Sequence, residues 1–279
     1  MLKRARLNRA ITGAAAAALL LLAGPATAQK AAKGGKDPAA MTVQGIRNCM
    51  SKNLVNRGAL RDLGLEVYDK EGKVRSLRMR LFWKPSKSRG TRVNLRLLDP
   101  PAMAGSSYLL LQEGASEDVY FYLPGADRAL RITGQNMSEP LWGTDFSYGE
   151  IKQVLGLLVV GDTKRMPDTQ ISGRPAYVLE TQTKVEETGY RKVVSSIDQA
   201  SCTLLRSEFF ARPDAPRKLL DADISSLLQA DKYWAVLSYT MTDVLRNTHT
   251  QLNLTDLSFD ERLSDKLFDP QKFFQHAQH

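Results

Sequence analysis

Histidine and cysteine supply much of the nucleophilic, acid–base and metal chemistry available near neutral pH, and this 279-residue chain is poor in both. The histidines are His249, His276 and His279; the cysteines are Cys49 and Cys202. His276 and His279 belong to the C-terminal tail, and His249 falls in RNTHT on a predicted strand face, where a surface histidine is the plain reading. No H-E-x-x-H or other Cys/His spacing marks a zinc site. The G-x-S-x-G elbow, the P-loop and the dinucleotide fingerprint are absent as well. Glu117, Asp118 and Asp145 sit where turns and caps are expected. The expectation is a protein that is not an enzyme and has no metal or cofactor; an enzyme acting on envelope lipids or glycans would need a constellation that the sequence does not display.

The two cysteines allow one intramolecular pairing, and no C-x-x-C suggests redox catalysis. In an oxidising compartment they are expected to form a structural bridge; two separate buried thiols are the alternative. The N-terminus favours that compartment. Lys3, Arg4, Arg6 and Arg9 precede an apolar run from Ile11 to Ala23, and Ala26-Thr27-Ala28 supplies an A-x-A cleavage site. Residues 1–28 therefore read as a signal peptide. Gln29, rather than Cys, follows the expected cut, so the mature chain is expected to be periplasmic, soluble and not lipid-anchored. The formal net charge is +9, and four of those charges lie in the signal segment, leaving a mildly basic remainder. That balance suits anionic headgroups or a solvated surface better than nucleic acid.

Residues 29–40 (QKAAKGGKDPAA) read as a disordered arm. Val43, Ile46, Met50 and Leu54 then recur at helical spacing, which predicts an amphipathic helix over 41–54. Beyond it, period-two alternation dominates: Leu63, Leu65, Val67; Leu77, Met79, Leu81; Val93, Leu95, Leu97. Gly, Pro, Asp and Ser clusters punctuate the strands, the signature of an antiparallel sheet built from consecutive hairpins. The second half repeats the pattern, with strands near 175–183, 189–198, 202–210, 216–224, 232–240 and 243–256, and an irregular tail over 261–279. Residues 41–279 are expected to form a single domain.

Between the halves lies LWGTDFSYGEI, residues 141–151, which sets Trp142, Phe146 and Tyr148 in a polar, turn-rich context. Ser147 to Glu150 matches a capping box, and Phe146 and Ile151 are placed as a hydrophobic staple, so a short helix over 147–156 is predicted. Two helices are few to cover so large a sheet. A curled sheet with an apolar concave side leaves a cavity; a plain sandwich of mutually packed aliphatics is the alternative. On the opposite face, Arg78, Arg80, Arg92 and Arg96 form a basic stripe, either a docking surface for an acidic partner or headgroups, or a solvated strand face.

YFYLPGADRALRITG, LWGTDFSYGEIKQV, AYVLETQ, YRKVVSSIDQASCTLLRSEFF and KLFDP resemble the LolA-like outer-membrane lipoprotein-sorting proteins, and in particular the periplasmic branch associated with transporters of the resistance-nodulation-division type. The resemblance covers most of the chain beyond residue 28 and is most specific over Tyr120–Val154. It implies a mainly β fold: an incomplete, half-open antiparallel barrel of about eleven strands with short helices as a lid. It implies a carrier that binds a lipid or lipoprotein acyl chain and moves it towards the outer membrane, with an inner-membrane transporter and an outer-membrane acceptor as partners. Trp142, Phe146, Tyr148, Ile151 and Leu155 are then expected at the lid, and Leu109, Leu111, Phe121 and Leu123 in the wall. Arg128 and Arg131 are placed to meet a headgroup at the cavity mouth. The rival reading is a non-enzymatic accessory or scaffold protein of an inner-membrane transporter, docked through the basic stripe.

Overall fold

A computed structural model of the protein describes residues 41–275, apart from 87–89, 115, 127 and 261; at 256 and 257 it describes the backbone alone. The signal segment 1–28, the arm 29–40, His276 and His279 lie outside the described residues.

Helix α1 (Val43–Ser51) begins where Thr42 accepts from the Gly45 amide, and it buries Ile46 and Met50, two members of the predicted stripe. The strands that follow are β1 (Ala59–Tyr68), β2 (Val74–Pro85), β3 (Thr91–Asp99), β4 (Ser107–Glu113), β5 (Ser116–Tyr122) and β6 (Leu130–Ile132). After the segment 133–161 come β7 (Asp162–Ile171), β8 (Arg174–Gln182), a single helical turn α2 (Val185–Thr188), β9 (Lys192–Asp198), β10 (Leu204–Phe210), β11 (Lys218–Ala222), β12 (Leu227–Ala230), β13 (Tyr233–Val236), β14 (Ser238–Asp243) and β15 (Thr248–Phe259).

Thirteen of these strands form one antiparallel sheet in the order β6-β5-β4-β3-β2-β1-β15-β14-β11-β10-β9-β8-β7. The sheet does not close: β6 and β7 are its two free edges. The chain walks from β1 out to one edge, crosses, and walks back from the other edge until β15 pairs with β1. The crossing segment 133–161 therefore bridges the gap that closure would have removed. It does so in 3-10 turns, Gly134–Ser138, Leu141–Gly143 and Ile151–Leu155, rather than in the predicted helix over 147–156. This is the half-open barrel with short helical cover that the resemblance implies. The hairpin β12–β13 leaves the sheet between β11 and β14 and forms a separate two-stranded ribbon.

The parity of the strands decides what each face carries. Leu63, Leu65, Leu77, Met79, Leu81, Val93, Leu95 and Leu97 point to the concave side, into the main core, together with Tyr108, Leu110, Val119 and Phe121. Their neighbours in sequence face the other way. There Phe82 and Leu109 pack against Leu263, Leu267, Phe268 and Phe273 of the C-terminal tail.

The tail also takes up the basic stripe. Lys84 Nζ donates to the Leu263 carbonyl (2.8 Å) and to Asp265 (2.9 Å), and Arg92 donates to Asp265 (3.1 Å). Asn94 Nδ2 donates to the carbonyls of Leu267 (2.8 Å) and Phe273 (3.0 Å), and Arg96 donates to the Phe273 carbonyl (2.8 Å). Arg80 pairs with Asp62 across the β1–β2 ladder at 2.7 Å. Of the four arginines, Arg78 is exposed and has no ion pair among the described residues. What periodicity presents as a continuous solvent-facing stripe is largely the seat of the chain's own tail, whose unpaired carbonyls need donors.

Cys49 on α1 and Cys202 before β10 are bridged, with a Cα–Cα distance of 5.7 Å. The bridge spans a sequence separation of 153, worth about 5 kcal/mol in the chain-entropy model. It fastens α1 across the concave side of the sheet.

Two carboxylates fix strand ends on the second half. Asp198 accepts both guanidinium nitrogens of Arg174 (2.7 and 2.8 Å) and the Ser201 amide (2.7 Å). Asp243 accepts from Arg217 (3.1 and 2.9 Å) and from the Leu245 and Arg246 amides. Burial alone would raise both carboxyls. The arginine and amide hydrogen bonds outweigh it and hold both below the ordinary carboxylate value. A depressed folded-state pKa contributes stability that is present above the unfolded value and lost as pH falls through the folded one. Chemical denaturation followed by circular dichroism should thus give a midpoint that is flat above about pH 4 and drops below it. A midpoint that holds steady well below that pH contradicts this account.

Candidate functional site

The crossing segment is bound to the sheet by polar as well as apolar contacts. Glu150 is buried, and its carboxylate accepts from the Ser147 amide (2.8 Å), from Lys218 Nζ (2.9 Å) and from the Tyr190 hydroxyl. Lys218 Nζ donates in turn to the Asp145 carbonyl at 2.7 Å. Thr248 and Thr250 of β15 donate to the Asp145 carboxylate, the latter at 2.7 Å. Lys152, also buried, pairs with Glu117, and Gln153 accepts from Ser207 of β10 at 2.8 Å. Burial first, and then the Glu150 charge, push the Tyr190 hydroxyl far up, so it stays a donor. Half of the predicted capping box is present: Glu150 reaches back to the Ser147 amide. The glutamate also turns to meet Lys218, which leaves a tight 3-10 turn instead of an α-helix.

The aromatics raised by the sequence pack beneath this network. Phe146 is fully enclosed, and Trp142, at φ +51°, leans on Phe121 with ring centroids 5.9 Å apart. Arg75 holds the turn by donating to the carbonyls of Trp142 (3.1 Å) and Gly143 (2.8 Å). Tyr148 meets Phe121 edge-on at 5.0 Å, and burial pushes its hydroxyl up to about 12. Ile151 is buried in the same core.

The space that these side chains do not fill lies beside them. A cavity of about 340 Å³ opens between α1, the end of the crossing segment, the β12–β13 hairpin and the concave side of the sheet. Met50, Leu54 and Val55 form one wall; Ala59, Leu81, Trp83, Tyr239 and Leu254 form the floor. Val154, Leu155 and Gly156 close one end, Gly156 ending its turn at φ +78°. The hairpin covers the rest with Leu228, Tyr233, Trp234, Ala235 and Val236. The volume lies in the range of small-ligand sites, about 300–1,000 Å³. Polar groups at the cavity are few, chiefly Asn53, Arg57, Arg61, Thr203 and Asp231.

A two-stranded ribbon is marginal by itself. This one is held to the α1 side by Asn53, which accepts from the Trp234 amide at 3.0 Å, and by Asn56, which accepts from the Tyr233 hydroxyl at 3.0 Å. Asn53 also donates to the Ser201 carbonyl, next to the disulfide, at 2.7 Å. The hairpin thus has fewer polar ties to the rest of the molecule than the Trp142 segment has.

The expected site residues divide accordingly. Leu155 lines the cavity; Trp142, Phe146, Tyr148, Ile151 and Phe121 belong to the packed core next to it. Leu109 and Leu111 have the opposite parity and pack beneath the tail, and Leu123 is exposed past the end of β5. Arg131 pairs with Asp118 and Arg128 is exposed; neither lines the cavity. Sequence reasoning missed Trp83, Tyr233 and Trp234. The signal within reach was YWAV, an aromatic pair beside the Asp231-Lys232 turn. A second cavity of about 390 Å³ lies near the sheet edges, with a more polar lining that includes Glu117, Lys152 and Tyr190. Among the described residues, no group of three or more His, Cys, Asp or Glu is arranged to hold a metal ion.

Known proteins share this architecture. A candidate outer membrane lipoprotein-sorting protein domain from Vibrio parahaemolyticus superposes with a TM-score of 0.68 at 24% identity, over 80% of this chain and 94% of that one. A DUF1329 family protein from Desulfovibrio piger gives 0.68 at 18% identity, over 82% and 97%. A LolA superfamily protein from Nitrosomonas europaea gives 0.63 at 16% identity, over 82% and 98%. No curated protein matches the chain. A family model described as "Uncharacterized protein" matches residues 89–274. The chain belongs to that family, and its fold is the one shared by the LolA-like and lipoprotein-sorting structures.

Proposed function

We propose that this protein is a non-enzymatic periplasmic carrier that holds the acyl chain of a lipid or lipoprotein in the cavity under the β12–β13 hairpin. The observation that carries this reading is an apolar space of about 340 Å³ that the protein's own side chains leave unfilled, walled by Leu54, Leu81, Trp83, Trp234 and Leu254. Each methylene moved into it gains about 0.8 kcal/mol, so a single chain is held firmly. Release then requires the hairpin to swing away or an acceptor to offer a comparable surface. The shared fold and the signal-like N-terminus agree with transit across the periplasm. A transporter of the resistance-nodulation-division type as donor and an outer-membrane acceptor are the partners that this route calls for. The rival docking role rested on the arginine stripe, most of which the tail and Asp62 occupy.

Native mass spectrometry of the gently purified protein is expected to show a bound lipid. Ala235→Trp, which fills the cavity from the hairpin side, should abolish that adduct while leaving the circular dichroism spectrum unchanged. Protein that is consistently free of lipid, or an Ala235→Trp variant that retains it, contradicts the proposal.

A further inference from the structure

The cavity contains a cation with no counter-charge among the described residues. Arg61 points from β1 into the apolar lining, level with Leu81 of the neighbouring strand. Its Nε is enclosed and has no hydrogen-bond partner, and the guanidinium as a whole forms no hydrogen bond or ion pair among the described residues. Arg96 and Arg47 also lose water on folding, but their guanidinium groups find acceptors: Arg96 donates to two tail carbonyls and Arg47 to Thr163. Burial depresses the Arg61 pKa. Arg57 stands at the rim of the same cavity, 3.6 Å above the Phe259 ring, also without a carboxylate partner among the described residues. The acid in the lining, Asp231, is exposed at the tip of the hairpin turn and pairs with neither arginine. A desolvated charge without a partner is costly, and proteins seldom keep one that nothing neutralises.

We propose that Arg61, with Arg57 at the rim, binds the anionic head of the amphiphile whose chain occupies this cavity, so that the cargo class is a single-chain lipid ending in a carboxylate or a phosphate. The inference rests on the carrier reading and narrows it. A planar guanidinium matches the two oxygens of either head in a forked hydrogen bond, and the apolar walls strengthen that bond by excluding water. Charge and chain are thereby read in one site.

The test uses the whole protein near neutral pH, with Trp83 and Trp234 as fluorescent reporters in the cavity wall. Decanoate is compared with methyl decanoate, and decyl phosphate with decanol. Wild type should favour at least one charged probe over its neutral partner by about thirtyfold or more, and the pair with the larger ratio identifies the head. Arg61→Met should bring that ratio close to one, leave the neutral probes bound as before, and raise the unfolding temperature of the empty protein. Arg61→Lys should keep part of the preference. Equal affinity for charged and neutral probes in wild type overturns the anion site and leaves the carrier reading standing. So does a preference that survives in Arg61→Met. Failure of all four probes to bind wild type overturns both.

Discussion

Replacing Lys218 by Met should cost about 3–5 kcal/mol of stability, because it strands the Glu150 carboxylate in the interior. Glu150 keeps its bonds from Ser147 and Tyr190, but neither brings positive charge. At about 2–4 °C per kcal/mol for a chain of this size, the unfolding temperature should fall by about 10 °C. Adding Glu150→Gln to the same variant should recover most of the loss. The amide oxygen still accepts from Ser147, and no charge is left uncompensated. A single variant within about 2 °C of wild type, or a double variant no better than the single, contradicts the account of the crossing segment as a charge-pinned plug. Because the pair lies outside the apolar cavity, the affinity of the folded variant for a lipid chain should be unchanged. That separation distinguishes the fixed cover of the molecule from its movable one.

Much of the fold is legible because one face of each strand must be buried. Alternation in β1, β2 and β3 reports the concave side directly, and Ile46 and Met50 mark the buried side of α1. Parity also places Leu109 and Leu111 opposite Leu110, but the chain gives no local cue that a tail 150 or so residues later covers them. The same long-range contact hides the role of Arg92, Asn94 and Arg96, which look solvent-facing until the tail's carbonyls are brought to them. Strand β7 escaped because it is an edge strand whose residues are mostly exposed, with Thr163 and Arg165 only half-buried. Lys164, Arg165 and Pro167 suit an unpaired edge and erase the alternation that would reveal it. The 232–240 stretch reads as one strand, but the chain leaves one ribbon and enters the main sheet at Leu237. The fold class was therefore within reach. A cavity was expected, but its position and lining were not within reach, since its walls come from α1, β1, β2, β14, β15 and a hairpin whose residues are adjacent only after folding. In the crossing segment, the aromatics gave a true signal of burial, but irregular turns have no period from which to read what each ring faces.

The central claim is that an apolar chain occupies the space beneath the hairpin, and its most direct measurement is affinity against chain length. Titration calorimetry with a homologous series of n-alkanoates should show binding tightening about fourfold for each added methylene, the equivalent of about 0.8 kcal/mol. The rise should level off when the volume of about 340 Å³ is full, on the order of ten methylenes if each takes up about the ~30 Å³ share of a water molecule. From six carbons to ten, the gain is then about two hundredfold. Ala235→Trp should shorten the length at which the plateau begins. An affinity that is flat with chain length, or a slope that Ala235→Trp leaves untouched, would contradict the claim.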